Sequence, residues 1–392
     1  MGEALPSGAE VVWLHGNSTE RRAGLCDLGA RLRVLRPDLR IVMTAWSKNA
    51  KRINHLCRGC DGVEQVLRDN AQDAQAFLKR WSPSICLWAG GDVMPTLLDR
   101  TRAQAMDMLL LDLGSNDLPR AARRRWFLTD PGPQALDRFD DIMVTDTEAR
   151  DAMRRLGISS SKIDVTAPLR ATAMPPGCPQ AVLAETADMI AGRPVWLAVH
   201  AQRSEFRPIL DAHRHALRLA PRLMLVVIPD QPTDIVELER RVALSGLSHV
   251  NWSDGGEIET HTQVVISEGG PTEIGLWYRS APIAFIASSF ASGTGGRDPE
   301  PAAALGSAVI HGPNIGLHRP SYELLRRAGA ARMVLDARTL ADAVTTLTAP
   351  DIAARMALAG WQAVTEGAPL MDRLIDMVLD RLDRRKVAHA RA

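Results

Sequence analysis

The sequence predicts an α/β protein built from two doubly wound domains. Short apolar runs alternate with helix-length amphipathic segments, which is the pattern of parallel sheets with crossover helices. The alternation stops once, where prolines and a glycine crowd between Met174 and Pro179, and then resumes. With 392 residues, the chain is long enough for two domains of ordinary size. We therefore expect a first domain over residues 1–174 and a second over 175–392, whose last helices either stay with it or pack back on the first domain.

The first half of the chain contains six candidate strands. Helical segments fall between them, for example over residues 71–81 and 147–157. The candidate strands are VVWL (11–14), RIVMTA (40–45), SICLWA (84–89), DMLLLDL (107–113), DIMVTD (141–146) and KIDVTA (162–167).

The second half repeats the alternation with seven candidate strands. From residue 351 to the end the pattern is helical throughout. The candidate strands are VWLAV (195–199), LMLVVI (223–228), HVNW (249–252), QVVIS (263–267), APIAFIA (281–287), AVIHG (308–312) and RMVLD (332–336).

Bulk composition excludes several classes of protein. The 47 Lys and Arg residues are balanced by 46 Asp and Glu, so no charge excess favours nucleic acid as a partner. A hydrophobic content of 46% is typical of a packed globular protein. Five cysteines in a chain of this length indicate reduced thiols rather than a disulfide framework. The sequence shows no signal peptide and no apolar run of the roughly 20 residues that a membrane helix needs, so we expect a cytoplasmic protein.

A carboxylate stands where the first candidate strand turns into the first candidate helix. The stretch WLHGNSTERRAG runs from Trp13 to Gly24 and contains Glu20. On one interpretation, Asn17 is the N-cap and Glu20 is the third helical residue of a capping box. On the other, Glu20 faces a substrate, because ligands of open α/β sheets bind outside the carboxyl ends of the strands. The local sequence leaves both interpretations open.

Three successive strands of the second half end in loops rich in glycine and small residues. These loops cover residues 269–275, 288–301 and 312–314. Glycines before a helix expose backbone N–H groups that bind anions, so the loops are candidates for holding a nucleotide, with Glu300 on the ribose hydroxyls. An ordinary strand-to-helix turn is the alternative for any one of them. The candidate binding residues are Gly270, Thr272, Glu273, Gly295, Gly296, Arg297, Glu300, Gly312 and Asn314.

Two further motifs have little specificity. Cys57 and Cys60 form a Cys-x-x-Cys with His55 nearby, but a structural zinc site needs a second ligand pair, and we expect no metal site. The run RAARRR (120–125) can contact an anionic membrane, although such a run is more often a solvated helix face. The basic stretch 384–386 carries still less weight.

Five fragments in a shared order span nearly the whole chain. Together they resemble the Kdo transferase family of lipopolysaccharide synthesis, whose members move 3-deoxy-D-manno-octulosonic acid (Kdo) from CMP-Kdo to lipid A precursors. The fragments are WLHGNSTE (13–20), RFDDIMVTDTEARDAMRRLGISSSKIDVTAPLR (138–170), RPVWLAVHAQRSEF (193–206), PTEIGLWYRSAPIAFIASSF (271–290) and GGRDPEPAAALGSAVIHGPN (295–314).

The resemblance implies a glycosyltransferase of the GT-B type, with two doubly wound Rossmann-like domains facing a cleft. It implies an acceptor at the first domain, a CMP-sugar at the second, inversion at the anomeric carbon, and no cofactor or metal for the chemistry. Work at the cytoplasmic face of the inner membrane, with peripheral contact, is also implied. The family's catalytic glutamate falls on Glu20, with Asn17, Ser18 and Asp92 on the acceptor side.

The chain departs from the family's pattern at the nucleotide phosphate. Asp230 stands where the family has a basic residue, and Arg297 stands where it has a histidine and can supply the positive charge instead. Glu300 lies one position early relative to the family's glutamate. Two alternatives therefore stay open: another GT-B reaction, such as transfer of a different sugar or epimerisation of a sugar nucleotide, and a binding protein without turnover.

Overall fold

The computed structural model describes residues 10–45, 60–65, 69–118, 134–171 and 175–391. The chain divides into two compact units, one formed by Met1–Thr172 with Glu366–Ala392 and the other by Ala173–Thr365. The last helix therefore belongs to the first unit. The motif around Cys57 and the arginine run 120–125 lie outside the described residues.

The first unit contains a parallel seven-stranded sheet. Its strands are ordered β3-β2-β1-β4-β5-β6-β7. This is the Rossmann order, in which successive strands are added on one side of β1 up to β3 and on the other side from β4 onward. The strands are β1 (Val11–Gly16), β2 (Arg40–Ala45), β3 (Gly62–Gln65), β4 (Ile85–Ala89), β5 (Asp107–Leu113), β6 (Asp141–Val144) and β7 (Ile163–Val165); the helices are α1 (Thr19–Leu35), α2 (Ala71–Trp81), α3 (Pro95–Arg102) and α4 (Thr147–Arg155).

Burial on both faces explains why these strands read as continuous apolar runs. Every residue of β1 is buried. Trp13 packs into the core on one face of the sheet, and Leu14 packs into the core on the other. Alternate residues of a strand point to opposite faces, so both faces need apolar side chains.

β3 is the one described strand of this sheet that the sequence did not predict. It is an edge strand with a charged side chain, which protects an edge from pairing with other chains. Glu64 accepts hydrogen bonds from Trp81 Nε1 at 2.7 Å and Arg80 Nη1 at 2.8 Å. A strand of this composition lacks the apolar alternation on which sequence prediction depends.

The second unit contains a second parallel seven-stranded sheet. Its order is β10-β11-β9-β8-β12-β13-β14, with the reversal between β8 and β12. The strands are β8 (Val195–Ala201), β9 (Met224–Pro229), β10 (His249–Asn251), β11 (Val264–Ile266), β12 (Ile283–Ile286), β13 (Ala308–His311) and β14 (Ala331–Met333); the helices are α5 (Gln180–Ile190), α6 (Arg203–Ala216), α7 (Ile235–Leu244), α8 (Pro271–Ser280), α9 (Glu300–Ala304), α10 (Arg319–Arg327), α11 (Ala337–Leu347) and α12 (Pro350–Thr365). The predicted α/β class with two doubly wound, Rossmann-like domains is confirmed, and such domains are the components of the GT-B fold.

The last helix, α13 (Ala368–Arg391), packs on the sheet of the first unit. Its apolar residues recur at helical spacing, which gives one buried stripe. The stripe shares a core with Leu14, Leu28 and Ile41. Its members are Leu370, Met371, Leu374, Ile375, Val378 and Leu382.

Candidate functional site

The reversal of strand order in the first sheet brings the predicted acceptor-side residues together. Asn17 follows β1 and Asp92 follows β4, the two strands that flank the reversal. Asn17 Nδ2 donates a hydrogen bond to Asp92 Oδ2 at 3.1 Å. Because ligands of open α/β sheets bind at such a switch point, this edge is the candidate site of the first unit.

The interpretation of Asn17 and Glu20 as a capping box is wrong. Ser18 is the N-cap of α1, and its Oγ accepts from the backbone N–H of Arg21 at 3.1 Å. Asn17 is engaged elsewhere, with its side chain on Asp92 and its carbonyl accepting from Arg22 Nη1 at 2.6 Å. Glu20 is therefore the second helical residue rather than the third, and the capping interpretation no longer applies to it.

Glu20 lies exposed on the first turn of α1. Within the described residues its carboxylate has no hydrogen bond or ion pair, whereas Arg21 and Arg22 beside it are both engaged. The N-terminus of a helix favours a negative charge. An accessible carboxylate at the switch point can accept a proton from a bound hydroxyl group.

Arg21 joins α1 to the strand end of β5. Its guanidinium donates from Nε to Asp112 Oδ2 at 2.7 Å and from Nη2 to Asp117 Oδ2 at 2.5 Å. It lies so close under Gly90 that a Cβ there would come within 2.5 Å of Nη1. Burial raises the pKa of Asp112 and Arg21 opposes this rise. Sequence analysis missed this cluster, although an aspartate inside the apolar run DMLLLDL was a signal for it.

A buried histidine lies near the end of β1, the strand that precedes the helix of the candidate base. His15 is fully buried and stacks on Trp88 with ring centroids 3.6 Å apart. Thr44 Oγ1 accepts from Trp13 Nε1 at 2.7 Å and lies 2.8 Å from His15 Nδ1. The other ring nitrogen, His15 Nε2, is buried and has no hydrogen-bond partner among the described residues. Burial lowers the pKa of His15 to about 3, so the ring is neutral.

Two residues with strained backbone mark the corresponding reversal in the second sheet. His200 at the end of β8 has φ +60°, and Ser288 after β12 has φ +57°. Non-glycine residues in this region concentrate at functional sites. Ser288 Oγ donates to the carbonyl of His200 at 2.7 Å and accepts from Gln202 Nε2 at 2.8 Å. The two strand ends are thereby joined.

The turn after β12 uses its backbone donors on a buried carboxylate. Glu205, which is 1% exposed, accepts hydrogen bonds from the N–H groups of Ser288 at 2.6 Å and Phe290 at 2.7 Å, and also from those of Ser289 and Ala291. A phosphate that binds this edge therefore cannot use the donors of residues 288–291. Sequence analysis did not identify Glu205.

The predicted cation Arg297 is paired. Its Nε donates to Asp230 Oδ1 at 2.8 Å and its Nη2 to Asp230 Oδ2 at 2.7 Å. Asp230 follows β9 and its side chain is 6% exposed, whereas that of Arg297 is 34% exposed. The two positions at which the chain departs from the family's pattern thus form one ion pair.

The loop after β11 leads into α8 through Gly270, an exposed N-cap that has no side chain to cover the helix N-terminus. Thr272 is exposed in the first turn. Glu273 points back to the strand end, where it accepts from Ser267 Oγ at 2.5 Å and from the N–H of Gly269 at 3.1 Å. The open first turn of α8 is suited to an anion, and Glu273 fixes its shape.

The remaining predicted residues connect the loops after β12 and β13. Gly295 and Gly296 have φ +73° and +80°. A Cβ on Gly312 would come within 2.4 Å of the carbonyl of Ser289, so this glycine is needed for packing. Asn314 Nδ2 donates to the carbonyl of Phe290 at 2.9 Å. Glu300 is half-buried at the start of α9.

Neither a metal cluster nor a membrane span is found in the part of the chain that the structure describes. No three His, Cys, Asp or Glu side chains there are grouped to hold a metal ion. None of the helices there combines the length and apolar character that crossing a membrane requires.

Residues 2–173 match the model of a protein family described as 3-deoxy-D-manno-octulosonic-acid transferase (kdotransferase). The 3-deoxy-D-manno-octulosonic acid transferase of Bordetella pertussis is 28% identical over 74% of this chain and 68% of its own. A probable mitochondrial 3-deoxy-D-manno-octulosonic acid transferase of Arabidopsis thaliana is 24% identical over 79% of this chain and 70% of its own. Among solved structures, the C-terminal CMP-Kdo binding domain of WaaA from Acinetobacter baumannii is 20% identical, with a TM-score of 0.44 over 47% of this chain and 99% of that domain. Residues 2–173 thus match the 3-deoxy-D-manno-octulosonic-acid transferase family, the curated relatives named here carry the same description, and together these similarities indicate a glycosyltransferase.

Proposed function

We propose that this chain transfers Kdo, or a Kdo-like sugar, from a CMP-activated donor to a lipid A-type acceptor with inversion at the anomeric carbon. The match of residues 2–173 to the family model and the names of the relatives support the sugar. The observation that carries the mechanism is Glu20, an exposed carboxylate at the switch point of the first sheet with no partner among the described residues. The family's catalytic base falls on this residue.

In the proposed reaction, the oxygen of the acceptor hydroxyl attacks the anomeric carbon of the donor, and Glu20 accepts the proton that this hydroxyl loses. The bond from that carbon to the phosphate oxygen breaks, and CMP leaves with the electron pair. The transition state resembles an oxocarbenium ion, as in glycoside hydrolysis. The proton then passes from Glu20 to solvent. Asn17 and Asp92, which are hydrogen-bonded to each other, orient the acceptor hydroxyl.

On the donor side, the open first turn of α8 and the exposed part of Arg297 are the proposed phosphate contacts. The N-terminus of a helix with free N–H groups stabilises an anion. Stabilising the charge that develops on the leaving CMP lowers the barrier. Gly270 and Thr272 are exposed at this turn, so both are accessible to a ligand.

We place the enzyme at the cytoplasmic face of the inner membrane, where its acceptor would lie.

The experiment that tests the base is the substitution Glu20→Gln. General-base catalysis is worth roughly 100-fold or more, so we expect the transfer rate to fall by at least that factor. Stability should change by about 0.5 kcal/mol or less, because Glu20 is exposed. CMP affinity should stay the same. The measurements are the transfer rate with CMP-Kdo and a lipid A-type acceptor, a melting curve and CMP binding.

Glu148 offers a matched control. It is also the second residue of its helix, α4, and is also exposed at the same edge of the first sheet. Glu148→Gln should keep full activity. A fully active Glu20→Gln protein would remove Glu20 from the mechanism and make Asp92 the next candidate base. Donor turnover by the unmodified chain without acceptor would indicate a different sugar-nucleotide reaction, and donor binding with no turnover would indicate a binding protein.

A further inference from the structure

The ion pair of Asp230 and Arg297 is held at both ends. The backbone N–H of Asp230 donates to the carbonyl of Ala201 at 2.9 Å. The carbonyl of Arg297 accepts from the hydroxyl of Tyr322 at 2.9 Å. With two short hydrogen bonds between the side chains as well, the guanidinium is oriented by the fold and is not free to follow a ligand.

The pair leaves one edge of the guanidinium available. Nε and Nη2 are used by Asp230, while the one hydrogen bond of Nη1 to a described residue is a long contact of 3.4 Å with the carbonyl of Gly296. The Arg297 side chain is 34% exposed. An arginine with one free edge can donate hydrogen bonds to one phosphate group in a fixed direction.

The ion pair itself carries no net charge at neutral pH, because Asp230 and Arg297 compensate each other. His200 Nδ1 lies 4.0 Å from Asp230 Oδ1, and the pKa of His200 is lowered to about 4, chiefly by burial, so the ring is neutral. Without Asp230, Arg297 would attract an anion more strongly the more negative charge the anion carries. With Asp230 present, each further phosphate is repelled by the negative charge of this nearly buried carboxylate.

We propose that Asp230 determines how many phosphates the donor site accepts, so that the site favours a nucleotide with one phosphate over a nucleotide with two. This inference rests on the proposed function, in which the nucleotide binds beside Arg297. Direct hydrogen bonds from Nη1 recognise the first phosphate. A second phosphate adds repulsion from Asp230 that no further described cation at the pair offsets.

The test compares cytidine, CMP and CDP binding to the unmodified chain and to Asp230→Asn, by calorimetry at constant ionic strength. CDP carries one more negative charge than CMP, and the repulsion between that additional charge and Asp230 is worth about tenfold in affinity. We expect the ratio of CDP to CMP affinity to rise by about tenfold in the variant, while cytidine affinity stays the same. The same ratio for UDP and UMP is measured in parallel, because the preferred base tests the proposed function and the ratio tests the role of Asp230.

Asp234 provides the matched control, since it is a 7% exposed aspartate of the same unit whose Oδ1 accepts from Arg203 Nε at 2.5 Å. Asp234→Asn should leave the ratio unchanged. An unchanged ratio in folded Asp230→Asn protein would overturn the proposal. If that variant does not fold, Arg297→Gln answers the same question. Arg297→Gln should lower the affinity for CDP more than the affinity for CMP. An equal loss of affinity for both nucleotides would overturn the proposal. No binding of any nucleotide would overturn the donor site itself.

Discussion

At the scale of single residues, the position of Glu20 depends on its neighbour Arg21. The guanidinium of Arg21 bonds to Asp112 and Asp117, which are far away in sequence. These bonds fix the first turn of α1 against the ends of β5 and the loop after it. Asp112 adopts φ +53° within β5, and its Oδ1 accepts from the backbone N–H of Leu169 at 3.0 Å. One ion cluster thus holds three segments around the candidate base.

Replacing Arg21 by methionine should therefore destabilise the first unit. The substitution keeps much of the side-chain volume but leaves two carboxylates, 11% and 22% exposed, without their cation. Breaking a buried pair costs about 3–5 kcal/mol and an exposed pair less than about 1, so we expect about 2–4 kcal/mol in urea unfolding. The transfer rate should fall as well, since the turn that carries Glu20 is no longer fixed.

Two comparisons check this explanation. Adding Asp112→Asn to Arg21→Met should restore part of the lost stability, because residues in one network are not additive. Arg138 pairs with Asp99 where both side chains are exposed, and Arg138→Met should cost no more than about 1 kcal/mol. An Arg21→Met protein as stable as the Arg138→Met protein would show that the cluster does not hold the turn.

At the scale of elements, capping residues decide where predicted strands and helices end. The run 141–146 was predicted as strand, but β6 ends at Val144 because Asp146 is the N-cap of α4 and accepts from the N–H of Ala149 at 2.7 Å. Helix α2 begins and ends as predicted, with Asn70 as its N-cap. Local signals of this kind are visible in the sequence.

Contacts between distant residues are not visible in the sequence. The sequence predicted Arg297 as a cation near the nucleotide and flagged Asp230 as a departure, but nothing in it indicated that the two would pair across 67 positions. The capping box at Asn17 failed for the same reason, because its amide is used by Asp92, 75 positions away. The predicted ends of the strands indicate which loops lie together at each edge of a sheet. Which side chains contact each other within those loops depends on the tertiary structure.

The helix α13 makes a test of element packing possible. Leu374 lies fully buried in its apolar stripe. Leu374→Ala should cost about 2–5 kcal/mol, which is the range for deleting a buried leucine side chain. Hydrogen exchange should become faster in β1 and β2, the strands whose core it shares. Leu358→Ala on α12, where the side chain is 54% exposed, should stay within about 0.5 kcal/mol. Unchanged exchange in β1 would mean that α13 does not stabilise this sheet.

At the scale of the whole molecule, both units bury neutral histidines. Burial lowers the pKa of His15 in the first unit and of His213 in the second to about 3, and that of His200 to about 4. His213 Nδ1 accepts from Trp196 Nε1 at 3.1 Å, so its proton lies on Nε2, which is 3.1 Å from the carbonyl of Gln263. Protonation would place a second N–H against the indole and break this arrangement.

The stability of the protein should therefore fall as the pH drops below about 6.5, the pKa of an unfolded histidine. In the window from about 6.5 down to about 3, the unfolded chain binds more protons than the folded chain, so stability rises with pH there and is lost as pH falls. Each such histidine contributes a slope of about 1.4 kcal/mol per pH unit. Urea unfolding between pH 7.5 and 5 measures this slope.

The variant His213→Gln tests the contribution of one histidine. Its amide can still accept from Trp196 and donate to Gln263, and it should reduce the slope by about 1.4 kcal/mol per pH unit. His215→Gln on the exposed side of the same helix should leave it unchanged. If His213→Gln has the slope of the unmodified chain, His213 does not titrate on unfolding and the acid sensitivity has another origin.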